Sequence, residues 1–348
     1  FDLMYLHIIY NLILILIYAN LQMNLVKFLE LKFKNKQKKS NYKSSNLIDI
    51  FRLLSNSAIQ ISKIISNPKN VNLSSEIGSN NTDGDQTKTL DLKADKILKH
   101  NLISSDIKWY ASEEEKDVIL LNNKGHFTIC VDPLDGSSNI ETNSPIGTIF
   151  GIYKSISNSK ETILQEGDNL VAAGFFIYGP RVTLIFSIGC GTSIFQLGHE
   201  DEFIKYKESI KISHNTNELS INFSNYAFWP RYIKNYIEDC INLYSSNEMG
   251  KYNMRWVGSL VADCYRILIR GGVFLYPQDV RKGYEKGRLR LVYEANPIAF
   301  LIEQSGGFAT DGKNRILSLK PQNIHERVPF IFGSKNEKYK LQKFYGKI

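Results

Sequence analysis

The chain has 348 residues, enough for one large α/β unit or two packed domains with a sizeable core. A hydrophobic fraction of 43% and a charged fraction of 22% exclude a disordered or fibrous protein, and Gly 23 with Pro 9 exclude a collagen-like repeat. The formal net charge of +8 would suit a protein that binds nucleic acid or a membrane surface, so its position along the chain matters.

The amino end carries an apolar run over residues 3–21 that is long enough to span a bilayer. Basic residues follow this run and do not precede it, which argues against a cleavable secretory signal and would leave an anchored chain on the cytosolic side. The sequence begins with Phe1, and we favour a true start at Met23 and a cytoplasmic protein. A membrane-anchored or organellar protein is the alternative, and we regard membrane association as doubtful.

The positive charge is concentrated in residues 27–43, where seven Lys and one Glu contribute +6 of the total +8. We expect this segment to be a solvated helix face or a flexible arm, because the rest of the chain resembles no nucleic-acid-binding module. Residues 1–45 are therefore predicted to be an extension outside the catalytic body.

The body begins with an amphipathic helix, predicted over 47–65 from the helical spacing of Leu47, Phe51 and Leu54 and the stop at Pro68. The elements predicted after it are a mobile loop over 69–89, a helix over 90–102, and strands over 107–111, 126–131, 147–155, 169–179, 181–188 and 192–197.

In the second half of the chain, predicted helices and strands alternate more. We predict helices over 229–244 and 257–272, a helix that Asn296 caps and that ends at Gly306, and a strand over 328–334. Strands mixed with helices throughout indicate an α/β fold, in the layered α+β sense, and not a bundle or a β-sandwich. We divide the body into an N-terminal metal- and phosphate-binding half and a C-terminal sugar-phosphate-binding half, over residues 46–215 and 216–348.

The cysteines show no C-x-x-C pair and no His at zinc-ligand spacing. We expect them to be reduced, structural and typical of an intracellular protein. They are Cys130, Cys190, Cys240 and Cys264.

The most informative stretch is ICVDPLDGSSNIETNSPIGTIFGIY. A strand would end at Asp132, Pro133 would fix a turn, and Asp135 would follow, so that both carboxylates point into one crevice. The backbone N–H groups of the glycine and serines after Asp135 suit a phosphate. A D-x-x-D pair alone could merely cap a helix.

Further acidic residues lie at other element ends: Glu113 and Glu114 follow a strand, and Glu294 is flanked by Arg288 and Arg290. Clustered carboxylates are costly unless cations or protons compensate them. Hard oxygen ligands select Mg²⁺ or Mn²⁺, so the pattern indicates metal-assisted phosphoryl chemistry.

The segments GDQTKTLD, SEE, DPLDGSSNI, VGSLVADCYRILIRGGVFLYP and GRLRLVYEANP resemble the class I fructose-1,6-bisphosphatases, within the lithium-sensitive sugar and inositol phosphatase superfamily. The resemblance runs from about Asn46 to the C-terminus. It implies a fold of alternating helix and sheet layers, hydrolysis of the 1-phosphate of fructose 1,6-bisphosphate in gluconeogenesis, and a homotetramer built as a dimer of dimers.

The resemblance also implies roles for individual residues. More than one Mg²⁺ per subunit, with Mn²⁺ or Zn²⁺ as alternatives, would bind Glu113, Glu114, Asp132, Asp135, Glu294 and the backbone carbonyl of Leu134. Asp91 and Glu114 would take the proton from the attacking water, and Asp85 would belong to a mobile loop that closes over the site.

For the substrate, the resemblance implies two phosphate sites and a sugar contact. The leaving 1-phosphate would lie against Gly136, Ser137, Ser138 and Arg290, and the sugar against Ser259 and Leu260. The other phosphate would bind Asn222, Tyr226, Trp256, Tyr276, Arg288 and, from a neighbouring subunit, Arg255.

Several positions depart from the family pattern. Trp256 stands where a Tyr is usual, Arg288 replaces a Lys, and Phe223 replaces an acidic residue. Animal members bind inhibitory AMP beside a Gly-Thr-rich turn and a Lys-Tyr pair. Here the pair is His126-Phe127, so we expect weak or absent AMP inhibition.

Two rival functions remain open at this point. A sedoheptulose-1,7-bisphosphatase would share the metal chemistry, although Ser138-Asn139-Ile140 and Gly258-Ser259-Leu260 look like the fructose enzyme. A non-catalytic sugar-phosphate-binding regulator is the alternative from another class, and the complete acidic set argues against it.

Overall fold

A computed structural model describes residues 23–36, 44–67, 84–156, 160–241 and 252–345. The first elements are three helices that lie side by side on one face of a large sheet. They are α1 (Leu25–Lys36), α2 (Ser44–Ile65) and α3 (Gly84–Leu102).

The large sheet has eight strands in the order β2-β1-β3-β4-β5-β6-β7-β8. Its strands are β1 (Ile107–Ser112), β2 (Ile119–Leu120), β3 (Phe127–Asp135), β4 (Ile146–Lys154), β5 (Leu170–Tyr178), β6 (Thr183–Ser187), β7 (Thr192–Leu197) and β8 (Phe203–Ile210). Neighbouring strands are antiparallel, with the exception of β1 and β3, which are parallel.

A second, five-stranded sheet has the order β10-β9-β11-β15-β13, and β12 pairs with β14 separately. The remaining elements are β9 (Glu218–Ser220), α4 (Arg231–Cys240), β10 (Asn253–Met254), α5 (Leu260–Arg270), β11 (Val273–Tyr276), β12 (Leu289–Arg290), α6 (Asn296–Gln304), β13 (Phe308–Thr310), β14 (Arg327–Val328), β15 (Phe330–Gly333) and α7 (Lys335–Tyr345).

Three apolar cores join these elements into alternating layers. The first lies between helices α1–α3 and one face of the large sheet, and it includes Phe51 and Phe150. The second lies between the other face of that sheet, helices α5 and α6, and the second sheet. The third lies between the second sheet and helices α4 and α7. The predicted fold of alternating helix and sheet layers is confirmed.

Side-chain alternation along the strands explains this layering. Ala172 and Phe176 of β5 enter the first core, whereas Ala173 and Phe175 enter the second. A strand that is covered on both faces reads as a continuous apolar run, which is why the central strands were predictable from sequence.

Other predictions need correction. The loop predicted over 69–89 is wrong at its C-terminal end, because α3 begins at Gly84; residues 68–83 lie outside the described residues. The prediction that Asn296 caps a helix is wrong, because a π-helical turn over Leu291–Ala295 continues directly into α6 and Asn296 is already helical.

The basic segment near the amino end forms part of the folded body where it is described. Helix α1 buries Leu25, Phe28, Leu29 and Phe33 in the first core, so the prediction of an extension outside the body fails for residues 25–36. Lys32 lies on its solvent side and pairs with Glu208 at 2.5 Å, as a solvated helix face would.

Among the described residues, no helix is both long and apolar enough to cross a membrane. The apolar run over 3–21 lies outside those residues. The first sheet ends at Ile210 and the second begins at Glu218, and the division of the body near residue 215 stays a prediction. All four cysteines are free, and only Cys190 is exposed.

The packing of α1 makes a stability prediction. Phe28 is 4% exposed and contacts Phe186 and Phe195 edge-on at 6.1 and 5.2 Å between ring centroids. We expect Phe28→Ala to lower the free energy of unfolding by about 3–5 kcal/mol, measured by denaturant titration. Leu31→Ala on the same helix, where Leu31 is 44% exposed, should have little effect. Equal effects of the two variants would show that α1 is not part of the cooperative core.

Candidate active site

Three carboxylates meet at the carboxyl end of β3, an interior strand of the large sheet. Oxygen atoms of Asp132, Asp135 and Glu294 lie within 4.8 Å of one another, and all three residues are buried. Two come from β3, and Glu294 comes from the π-helical turn that precedes α6. The acidic cluster is defined here as these three residues together with Glu113.

A bulge in β3 brings the two aspartates together. Asp132 pairs with Ile149 and Asp135 with Gly147, so three steps on β3 oppose two steps on β4. Residues three apart in a regular strand point to opposite faces, but the extra residue of a bulge restores the phase. The predicted turn at Pro133 is therefore a bulge inside a strand that runs to Asp135.

Hydrogen bonds from the backbone hold the cluster in place. Asp135 Oδ2 accepts from the Val261 N–H at 2.9 Å and from the Ser259 hydroxyl at 3.1 Å, both at the start of α5. Asp132 accepts from the Leu134 N–H at 3.0 Å. Gly136 has a φ of 73°, and a Cβ there would lie 2.9 Å from the Cβ of Ser259. This approach of α5 to β3 therefore requires glycine.

Burial and mutual repulsion disfavour the ionised form of the cluster. Burial raises the pKa of Asp132 well above its usual value, and the carboxylates of Glu113, Asp135 and Glu294 raise it further. Burial also raises the pKa of Asp135 to about 6, although the hydrogen bonds from α5 oppose the shift. The pKa of Glu294 is raised well above its usual value by burial and by Glu113.

Glu113 reaches the cluster because β1 and β3 are parallel neighbours, so the carboxyl ends of both strands lie at the same end of the sheet. Its N–H donates to the Val131 carbonyl at 3.1 Å. Its carboxylate accepts from Arg290 Nε at 3.1 Å, and the Arg290 N–H donates to Glu294 Oε2 at 2.5 Å. Arg290 thus provides a cation at the border of the acidic cluster.

Asp91 on α3 lies on the other side of the site. Burial and the nearby Glu114 and Glu113 carboxylates raise the pKa of Asp91 to about 7, while a hydrogen bond with Ser137 opposes the shift. The structure therefore brings Asp91, Glu114 and Ser137 together. Asp85 lies in the first turn of α3, and its side chain is outside the described residues.

The residues of the cluster fit a divalent cation. Hard cations bind carboxylate oxygens at 2.0–2.6 Å, so oxygens within 4.8 Å of one another can share one ion. The raised pKa values of Asp132, Asp135 and Glu294 also favour a cation site, because they show that too little positive charge surrounds the ionised carboxylates. Whether Glu114 and the Leu134 carbonyl also bind an ion stays a prediction.

Three of the residues predicted to bind the distant phosphate lie together. The Trp256 ring stacks on Phe274 at 5.8 Å and meets Tyr276 at 5.7 Å. The Arg288 guanidinium lies 5.9 Å from the Tyr276 ring and 4.6 Å from that of Tyr284. Trp256, Tyr276 and Arg288 are therefore neighbours.

Two other members of that predicted set have polar partners within the chain. Asn222 Oδ1 accepts from the Ser224 N–H at 3.2 Å, which caps the short helix that follows. The Tyr226 hydroxyl donates to Glu238. Leu260 is buried at the start of α5, and Ser138 is exposed on the turn after Gly136.

Comparison with known proteins settles the family. The model for Fructose-1-6-bisphosphatase, N-terminal domain, matches residues 29–208, and the model for Fructose-1-6-bisphosphatase, C-terminal domain, matches residues 212–346. The chain belongs to the fructose-1,6-bisphosphatase family. The resemblance stated from the sequence is confirmed, and the first match begins inside α1.

Similar proteins place the chain among the class 1 members of that family. It is 48% identical over 255 residues to Fructose-1,6-bisphosphatase class 1 1 of Cereibacter sphaeroides, covering 73% of this chain and 77% of that protein. It is 46% identical over 276 residues to Fructose-1,6-bisphosphatase class 1 of Rhizobium meliloti, covering 77% and 78%.

Solved structures agree with the observed layers. The crystal structure of Leishmania major fructose-1,6-bisphosphatase in holo form matches with a TM-score of 0.81 at 30% identity, covering 94% of this chain and 99% of that one. The apo form matches with a TM-score of 0.79 at 29% identity.

Sequence reasoning missed the residues that connect α3 to β1 and to the acidic turn after β1. Tyr110 donates to Asp95 at 2.7 Å, and Lys99 joins Asp95 at 2.8 Å and also pairs with Glu115, so α3 anchors the acidic turn after β1. The helical spacing of Asp95 and Lys99 was readable as an i,i+4 pair. Its partners across the fold were not.

Removal of divalent metal gives a test of the acidic cluster. In metal-free protein, Asp132→Asn removes one of the mutually repelling carboxylates, so we expect the free energy of unfolding to stay level or rise by about 1–2 kcal/mol. Added Mg²⁺ should raise the melting temperature of the native chain by several degrees more than that of the variant.

Glu337→Gln is the matched control, because Glu337 is buried in the third core and accepts from Tyr236 and Tyr252 at 2.7 and 2.8 Å. It should lower stability and leave the Mg²⁺ effect intact. Differential scanning fluorimetry measures both quantities. An equal Mg²⁺ response in Asp132→Asn and the native chain would contradict metal binding at the cluster.

The AMP prediction gains support from the pair at 126–127. His126 Nδ1 lies 2.8 Å from Asp106 Oδ1, and the Asn46 side-chain amide donates to Asp106 Oδ2 at 2.8 Å. A carboxylate beside this pair is unfavourable for a nucleotide phosphate. We expect no inhibition of phosphate release by micromolar AMP. A micromolar inhibition constant would contradict this expectation.

Proposed function

We propose that this chain hydrolyses the 1-phosphate of fructose 1,6-bisphosphate to fructose 6-phosphate and phosphate, in gluconeogenesis. The observation that carries the proposal is the buried cluster of Asp132, Asp135 and Glu294 in a chain of the fructose-1,6-bisphosphatase family. A metal-dependent phosphoric monoester hydrolase needs such a site, because bound cations stabilise the charge on the transferring phosphoryl group.

We propose Mg²⁺ as the cofactor, with more than one ion per subunit held by Glu113, Asp132, Asp135 and Glu294. Bound cations would neutralise the phosphoryl oxygens and acidify a water molecule. The arrangement of the chain supports this, since four carboxylates converge and the Arg290 side chain pairs with one of them, Glu113. Arg290 would then have its remaining N–H groups for the 1-phosphate.

Asp91 and Glu114 are the proposed proton acceptors. In the metal-free chain, burial and the Glu114 and Glu113 carboxylates raise the pKa of Asp91 to about 7, close to the pH at which a general base works best. Cations bound by those carboxylates would lower this pKa and favour the ionised, proton-accepting form. The hydrogen bond between Asp91 and Ser137 fixes the carboxyl beside the residues proposed for the leaving phosphate. An attacking water would therefore meet its base and the phosphate in one crevice.

The distant phosphate is proposed to orient the sugar. Arg288, Tyr276 and the indole N–H of Trp256 lie in one neighbourhood that could bind phosphate oxygens. Contacts remote from the reacting bond supply binding energy for orientation. Arg255 would complete this site from a neighbouring subunit. This subunit contact and the resemblance to the family lead us to propose a homotetramer. We also expect a cytoplasmic enzyme.

The cluster gives a direct test of activity. We expect Asp132→Asn to lower kcat by at least about a thousandfold, because a buried carboxylate next to the reacting phosphate is lost. Phosphate release from fructose 1,6-bisphosphate in Mg²⁺ is the measurement. Asp201→Asn makes the same chemical change in the exposed turn before β8 and should leave kcat unchanged. Retained activity in a folded Asp132→Asn variant would contradict the proposed mechanism.

The substrate itself is tested by a panel. Fructose 1,6-bisphosphate, sedoheptulose 1,7-bisphosphate and inositol 1-phosphate are compared with and without Mg²⁺, by phosphate release. We expect the highest kcat/KM for fructose 1,6-bisphosphate. Without a divalent cation, we expect no phosphate release from any of the three substrates. Preference for the seven-carbon sugar would reassign the substrate, and no hydrolysis of any of the three would favour a binding protein.

A further inference from the structure

A second cluster of charged side chains lies at the start of β9, on the edge of the second sheet that β10 forms. Three arginines approach one glutamate, whose side chain is only 4% exposed. Glu218 Oε2 lies 2.6 Å from Arg266 Nη1, and Glu218 Oε1 lies 2.5 Å from Arg270 Nη2 and 3.5 Å from Arg255 Nε. A buried carboxylate with three cationic neighbours is a paired charge of the kind that interiors tolerate.

Arg266 extends this cluster to a second buried carboxylate. Its Nη2 donates to Asp263 Oδ1 at 2.9 Å, and Asp263 is fully buried. Asp263 also accepts from the Ser220 hydroxyl at 2.7 Å and from the Val257 N–H at 3.4 Å. One continuous network therefore holds the side chain of Arg255 at one end and the backbone of Val257 at the other.

The backbone of Arg255 is fixed separately by the sheet. Asn253 and Met254 pair in parallel with Glu218 and Leu219, and the Arg255 N–H donates to the Leu219 carbonyl at 2.7 Å. The Arg255 side chain is 48% exposed. An arginine in water samples many rotamers, so the ion pair is what limits its direction.

The geometry of this ion pair leaves Arg255 able to bind an anion. The atom of Arg255 closest to Glu218 is Nε, 3.5 Å from Oε1, so this ion pair leaves Nη N–H groups of Arg255 available to another acceptor. The network has three guanidinium groups and only two carboxylates, which leaves one positive charge in excess. A phosphate could take up this excess charge, and guanidinium groups bind phosphate with two parallel hydrogen bonds.

We propose that Glu218 is a positioning residue for substrate binding: it holds the Arg255 guanidinium outward, so that its Nη nitrogens bind the non-reacting phosphate of a sugar bisphosphate in the neighbouring subunit. This inference rests on the proposed function and extends it to a residue that does not touch substrate. Arg266 acts with Glu218, because it ties the carboxylate to Asp263 and α5.

The test is a double-mutant cycle on the full chain, read as KM and kcat for fructose 1,6-bisphosphate in Mg²⁺. We expect Arg255→Ala and Glu218→Gln each to raise KM by about tenfold with little change in kcat, because both remove uniform substrate binding. The double variant should be no worse than Arg255→Ala alone, since residues that act as a unit are not additive.

Arg270→Ala is the matched control. Arg270 pairs with the same Glu218 oxygen but lies on α5 and has no proposed contact with substrate. A general structural role for the network predicts that Arg270→Ala and Glu218→Gln move KM and melting temperature together. A positioning role predicts that only Glu218→Gln raises KM. Glu218→Asp, which keeps the charge and shortens the arm, replaces Glu218→Gln if that variant does not fold.

The outcomes separate the two levels of the hypothesis. A native chain that releases no phosphate from any sugar bisphosphate overturns the proposed function and the positioning role with it. An active chain in which Glu218→Gln keeps the native KM, or in which the effects of Glu218→Gln and Arg255→Ala multiply, overturns the positioning role alone. An unchanged KM in Arg255→Ala has the same consequence.

Discussion

The repulsion among four neighbouring carboxylates, three of them buried and Glu113 partly exposed, is the constraint on which the site depends. Glu113, Asp132, Asp135 and Glu294 come from three separate segments of the chain, and no local preference would bring them together. The protein compensates them with N–H donors from α5 and from the turn before α6, and with Arg290. The compensation is incomplete, as the raised pKa values of Asp132 and Glu294 indicate. A divalent cation bound by the cluster would complete it.

The elements that carry the four carboxylates have irregular backbone geometry. The bulge in β3, the left-handed Gly136 and the π-helical turn at Glu294 are each departures from regular geometry. Such departures cost stability and are found where function requires a particular direction of a side chain. The apolar cores on both faces of the large sheet provide the stability that lets them persist.

The sequence predicted the parts of the fold that depend on periodicity. The central strands and the helix at 47–65 could be read because each is long and shows a repeating apolar pattern. The strand around Asp132 was predicted too short, since Pro133 is a turn signal and a register shift leaves no trace in the pattern of one strand. Strands of two or three residues, such as β9 and β10, are too short to alternate visibly. The Glu218 network could not be predicted either, because it joins residues that are far apart in the sequence.

Helix α1 has a consequence for synthesis of the chain. Its apolar face lies against Phe186 and Phe195, and Asn24 bridges to Ile204 in β8. A ribosome makes the helix about 160–180 residues before these partners, so the sheet-facing side of Phe28 stays uncovered while about half of the chain is synthesised. Until β8 emerges, α2 can cover only part of that face, and a chaperone or another segment of the nascent chain has to shield the rest.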